Sequence, residues 1–243
     1  MSPERSQPST TVAPIASMDD PRVISILSTE HWSLLSARSL AYNEAFVRAG
    51  MFLTFLSMSF VALALLAQAM SFDRDFLSVT ALVLAFDFVI GMTTFGRING
   101  ANYDDLRAVH GMARIRHAYT QITPLVTPYF TTPTHDDIDA VTTAYGPISD
   151  RLPGQIVYGL TTSAGMIGLI VAMVGGVLTA VVAMLVGVAG GASIWIGLAG
   201  GVAVLAALIA YGYVSVESVQ SSVTARFPTP VTEADPGAQD HPG

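Results

Sequence analysis

Residues 49–70, AGMFLTFLSMSFVALALLAQAM, carry no charged side chain, with Arg48 immediately before them and the polar SFDRD immediately after. A helix crossing the roughly 30 Å hydrocarbon core of a bilayer needs about 20 apolar residues, and this run supplies them. A second run, residues 76–96, is interrupted only by Asp87. Between Arg151 and Glu217 there is no charged residue at all. That stretch is too long for one crossing and suits two joined by a short turn. The glycine-rich GVAGGAS, residues 187–193, is the natural break. It divides the stretch into spans at 159–186 and 194–215. The expected fold is all-α, a four-helix transmembrane bundle.

Composition agrees. Of the 243 residues 51% are hydrophobic and only 12% charged, about half the charged share of an ordinary soluble domain. Net charge is −7, but the acidic residues form no run that would attract a basic partner. All 11 basic residues are arginine, which excludes a Schiff-base lysine or a phosphate-loop lysine. The absence of cysteine excludes disulfides, thiolate metal sites and cysteine nucleophiles.

The arginines also orient the chain. Arg5, Arg22, Arg38 and Arg48 precede the first span, five more lie between the second and third, and Arg226 follows the fourth. The two short loops on the opposite side hold only Arg74. Under the positive-inside rule this places both termini in the cytoplasm, with the plasma membrane as the expected location.

The soluble segments follow from the same reading. Residues 1–20 and 221–243 are rich in Ser, Thr, Pro and Gly and read as disordered tails. Residues 21–48 read as a cytoplasmic helix running without a breaker into the first span, with Ser28 or Thr29 as a cap and Glu44 and Arg48 as an i,i+4 pair. Residues 97–122 continue the second span as helix until Pro124, and residues 123–155 break into a proline-rich loop with a short helix from Asp136 to Tyr145, capped by Thr134.

The two extensions should form an antiparallel stalk in which residues whose numbers add to about 145 lie level. Arg38 then meets the level of Asp104 and Asp105, and Glu30 that of Arg114 and Arg116. Exposed pairs of this kind contribute about 0–1 kcal/mol each, enough to set register. Arg114 would lie ~25 Å from the bilayer at 1.5 Å per residue, beyond the ~8 Å Debye length, which favours helix pairing over lipid headgroups.

The runs LSARSLAYNEAFVRAGMFLTFLS, residues 35–57, and MARIRHAYTQITPLVTPYF, residues 112–130, resemble a family of uncharacterised bacterial integral membrane proteins. The resemblance spans about residues 28–150. It implies the layout just described and brings no activity with it.

Several residues invite a functional reading. Asp87 sits near the middle of the second span, where an ionisable side chain is costly and marks a proton or cation site by default. The plainer reading is packing, with Ser57, Ser59, Gln68, Thr80 or Thr93 as hydrogen-bond partner. Ala164, Gly168, Ala172, Gly176 and Ala180 recur every fourth residue in the third span, and Gly197 and Gly201 in the fourth. Small residues so spaced let helices approach closely in lipid, within one subunit or between two. His110 and His117 share a helix face but lack metal-ligand spacing, and His135, Asp136, Asp137 and Asp139 lack the glycine and glutamate of a calcium loop. The latter acids suit a helix N-terminus. Trp32 should bury against Ile115 or His117.

No phosphate loop, catalytic triad or zinc-protease motif is present. The sequence therefore leads to a non-enzymatic multi-pass membrane protein, a scaffold, sensor or effector subunit acting through helix association. Its partners are the lipid bilayer and further copies in a homo-oligomer, with no cofactor, metal or nucleic acid. The rival reading is a small ion channel or proton-coupled transporter using Asp87.

Overall fold

The computed structural model describes residues 17–70, 72–145, 159–222 and 224–230. Their secondary structure is helical: α1 (Pro21–Ala69), α2 (Arg74–Ile122), a 3-10 helix (Pro124–Tyr129), α3 (Ile138–Thr143), α4 (Ser163–Leu185) and α5 (Gly190–Ser222). Helices α1, α2, α4 and α5 are each long and apolar enough to cross a membrane. The described residues thus form a helical bundle whose four long helices are compatible with a multi-pass membrane protein. Residues 1–16, 146–158 and 231–243, on which part of the expected tails and loop falls, lie outside the described residues.

Three of the four long helices, α1, α2 and α4, begin where the sequence supplies a side-chain cap. Asp20 accepts a hydrogen bond from the Arg22 amide at 2.9 Å, with Pro21 in the first turn where its missing N–H costs nothing. Helix α1 thus starts earlier than a cap at Ser28 or Thr29 would place it. Thr29 lies inside the helix and donates back to the Ser25 carbonyl at 2.8 Å. Asp73 caps α2 through the Phe76 amide at 3.0 Å, and Thr162 caps α4 through the Gly165 amide at 3.1 Å. The α4–α5 turn passes through Gly187 at φ +92°, a left-handed conformation that favours glycine. Helix resumes at Gly190, several residues before the expected start of the fourth span, and continues beyond residue 215.

At 1.5 Å per residue the 49-residue helices α1 and α2 are each about 73 Å long. A bilayer core takes ~30 Å of that, so some 40 Å of paired helix projects into water. The pairing is antiparallel. Phe52 meets Gly91, Ser59 meets Asp87, Arg38 meets Asp105 and Leu34 meets Gly111. In each pair the residue numbers add to about 145, the level rule of a straight hairpin of helices.

Packing proceeds in chain order: α1 along α2, α2 along α4, α4 along α5. Two cores result. One lies in the membrane half, around Phe52, Leu84, Ile98 and Val171. The other lies in the stalk, where Val141 of α3 closes on Val109, Met112 and Ala113 of α2. Tyr145 and Leu34 flank this smaller core.

Candidate functional site

Two constellations stand out, one in the membrane and one in the stalk. In the membrane half Asp87 is fully buried, and the Ser59 hydroxyl of α1 donates to its Oδ1 at 3.0 Å. Its Oδ2 has no hydrogen-bond partner among the described residues. Of the other polar residues along these spans, Ser57 donates to Leu53 and Thr93 to Ile90 within their own helices, while the buried Thr80 hydroxyl has no partner among the described residues. Thr80 lies seven residues from Asp87, about 10 Å along the axis, so the two form no pair. Ser59 is the partner because it comes level with Asp87 on the facing helix.

The small residues divide between two contacts. A Cβ on Gly176 would stand 2.9 Å from the Gly197 carbonyl oxygen and 3.2 Å from the Gly201 Cα, and one on Gly197 would stand 2.7 Å from the Ala180 Cβ. One on Gly201 would meet the Ala172 carbonyl oxygen at 3.1 Å. Ala172, Gly176, Ala180, Gly197 and Gly201 thus bring α4 and α5 backbone to backbone within one chain. A turn or two earlier the stripe has wound round the helix: Gly168 faces Phe95 of α2, and Ala164 joins the membrane core. Four residues exceed one turn of 3.6, so the stripe drifts from one neighbour to another. Sequence reasoning passed over Gly91, where three helices converge: a Cβ there would meet Val171 at 2.6 Å and Phe52 at 2.9 Å.

In the stalk, Arg38 holds the buried Asp105 through two of its guanidinium nitrogens, Nε to Oδ1 and Nη2 to Oδ2, the latter bond measuring 3.2 Å. The Tyr145 hydroxyl donates to the same carboxylate at 2.8 Å. Burial, then the neighbouring Asp105 carboxylate, pushes the Tyr145 phenol well above its ordinary range. Nearer the membrane Arg97 grips Glu44 at 2.7 and 3.2 Å, and Arg48 adds its own contact to Glu44 at 3.1 Å. Arg97 above all holds the Glu44 carboxyl below the usual range.

The remaining expected stalk pairs do not form. Asp104 reaches only Arg107 on its own helix, at 4.0 Å. Glu30 is exposed, and among the described residues it makes no ion pair. Arg114 turns instead to Asp136, and Arg116, half-buried, has no ion-pair partner among the described residues. Burial, with Arg38 nearby, draws the Arg116 guanidinium below its ordinary value. The level rule places helices correctly in height, but the azimuth of each side chain decides what it touches. Trp32 is a second correction: it is 65% exposed and faces away from α2.

The largest departure from expectation is at the C-terminal side. Residues 224–230 are not a loose tail but a strap laid across the stalk loop. Fully buried Asp136 accepts from Arg114 Nε at 2.6 Å, from the Arg226 amide at 2.9 Å and from the Phe227 amide at 2.6 Å. Its own amide donates to the Phe227 carbonyl at 3.2 Å. Asp137 accepts from the Thr229 amide and hydroxyl at 2.8 and 2.7 Å while also capping α3 through Ala140. Asp137, not Thr134, is therefore the cap of that helix, which is shorter than expected. Arg114 Nη2 donates to the Thr224 carbonyl at 2.7 Å, and His117 stacks on Phe227 at 4.3 Å.

Electrostatics follow from these contacts. Burial pushes the Asp136 carboxyl up, but the two strap amides and Arg114 outweigh it and hold the group below the usual carboxylate range. His110, buried beside it, is pulled down by desolvation against the opposing pull of Asp136. The chemistry of this cluster is recognition of a peptide backbone by two adjacent carboxylates. Among the described residues no group of three or more metal-ligating side chains is assembled. Comparison with known proteins finds no matching family model, no matching curated protein and no matching solved structure.

Proposed function

We propose that the protein is a non-enzymatic scaffold, sensor or effector subunit of the plasma membrane, with both termini cytoplasmic, acting through helix–helix association. The observation that carries the reading is continuity. Helices α1 and α2 each run unbroken from the membrane into the stalk, so a displacement at either end is carried to the other by rigid helix. The ion pairs at two heights and the strap hold the stalk as one body, which suits a part that is presented to others. Subunit counting of the full chain in native membranes tests association. Two or more copies per particle are expected, and a population of monomers would overturn the reading.

A second reading, a small ion channel or proton-coupled transporter, is favoured by one observation: Asp87 Oδ2 is buried in an apolar helix and has no hydrogen-bond partner among the described residues. It requires that flux in reconstituted vesicles be abolished by Asp87→Asn. Flux absent from the parent protein, or unchanged by the substitution, removes it.

A further inference from the structure

The face of α1 turned away from α2 is uncharged from Ser25 to Gly50, although the same stretch carries Glu30, Arg38, Glu44 and Arg48 elsewhere on its circumference. Arg38 and Glu44 point to α2. The uncharged face exposes Trp32 (65%), Leu40 (70%), Phe46 (52%) and Val47 (62%). Leu40 stands roughly 12 Å beyond Arg48, and Trp32 roughly 24 Å, at 1.5 Å per residue. Lipid tails do not reach that far, so Trp32 and Leu40 face water.

On this face a shallow groove is lined by Trp32, Leu35, Ser36, Ser39, Leu40 and Asn43. The six residues divide into two overlapping sets of four. Trp32, Leu35, Ser36 and Ser39 have the spacing of the hole that receives an a-position side chain in a parallel two-stranded coiled coil. Ser36, Ser39, Leu40 and Asn43 have the spacing of the hole for the following d position. In that frame Ser36, Asn43 and Gly50 take the a positions, and Trp32, Ser39 and Phe46 the d positions. The serines and the glycine let two axes approach closely, with Leu35 and Leu40 closing the seam on either side. An asparagine at a single a position specifies register and two-strandedness by bonding its own twin, and Asn43 holds that place.

We infer that this groove is the seam of a parallel homodimer, its occupant the same face of α1 from a second copy. Two features select a second copy over a foreign helix. Insertion into one membrane holds every copy of the chain parallel and at one depth, so equal residue numbers meet. The face is uncharged, so placing it against itself brings no like charges together. The inference rests on the association reading above and names the surface that performs it.

The chain has no cysteine, so single-cysteine variants of the full protein report directly. Ser36→Cys and Ser39→Cys, both at exposed positions, are oxidised in native membranes beside Ala37→Cys. Ala37 is equally exposed but about 100° round the helix. The expected result is a covalent species of twice the chain mass at Ser36 and Ser39, at least tenfold more abundant than at Ala37, and reduced at least tenfold when Leu40→Glu is added. Equal crosslinking at all three positions, none at Ser36 and Ser39, or a product containing another protein would overturn the seam. Subunit counting separates the two claims. Multimers without the Ser36 crosslink refute this surface alone, whereas monomers refute the association reading as well.

Discussion

The two halves of the molecule are held by opposite means. In the membrane half α4 and α5 meet through glycine and alanine at backbone distance, and Gly91 receives Phe52 and Val171 from two neighbours. In the stalk half, buried carboxylates organise the contacts: Asp105 gathers Arg38 and Tyr145, and Asp136 gathers Arg114 and two strap amides. The difference is one of solvent. Lipid tails are as apolar as leucine, so only closeness of fit favours one helix neighbour over another. In water, burying a carboxylate is costly unless several donors meet it, and the arrangement that supplies them all is thereby singled out.

Substitutions should therefore act on one half and spare the other. The largest effect is expected from Arg38→Ala, which leaves Asp105 buried with Tyr145 as its remaining donor. Breaking a buried pair costs about 3 kcal/mol or more. Hydrogen exchange of stalk amides around Asp105 should accelerate by two orders of magnitude while amides of α4 and α5 stay protected. Equal acceleration in both halves would show that they unfold as one unit.

Gly176→Val comes next, because its Cβ would stand 2.9 Å from a carbonyl oxygen that cannot move without its helix. Overpacking of this kind costs roughly 1–3 kcal/mol. The expected outcome is weakened α4–α5 association in a detergent titration, with the stalk ion pairs and the strap unchanged.

Acid should loosen the strap in two stages. The folded His110 ring is held below its ordinary value. Its neutral form is the folded one, and its contribution is whole above about pH 6.5, the unfolded histidine value. The contribution then declines as pH falls from there toward the folded value. Asp136 is also held low, so its contribution is present above about pH 3.9 and is lost only as pH falls through its folded value. Proteolysis at Arg226 should rise in both windows, and His110→Leu should remove the upper stage alone. The smallest effect belongs to Glu44→Gln. This pair is partly exposed and screened by salt, and the exchange rates of neighbouring amides should not change measurably.

Legibility followed the same divide. The four spans were readable because a bilayer imposes a minimum uncharged length, and the hairpin register because two straight antiparallel helices obey a constant sum. Arg38 with Asp105 and Glu30 with Arg114 both followed from that rule, but only the first pair forms. Arg114 turns to a loop that folds back from later in the chain. The strap was unreadable because Thr224 to Pro230 has the composition of a tail, and backbone amides leave no mark in sequence. Its one signal was Phe227, a large aromatic among small and polar neighbours. Trp32 misled because a tryptophan in a water-exposed helix is expected to bury, whereas among the described residues it stays 65% exposed.

Sequence by itself determined how many helices are long and apolar enough to cross and at about what height the residues of the α1–α2 hairpin sit, since these depend on hydrocarbon thickness and helical rise alone. Tertiary structure decided which way each side chain turns and what meets it there: Ser59 rather than Thr80 for Asp87, Asp136 rather than Glu30 for Arg114. The reason is that rise along an axis is local and additive, whereas azimuth and partner depend on how whole helices are rotated against one another.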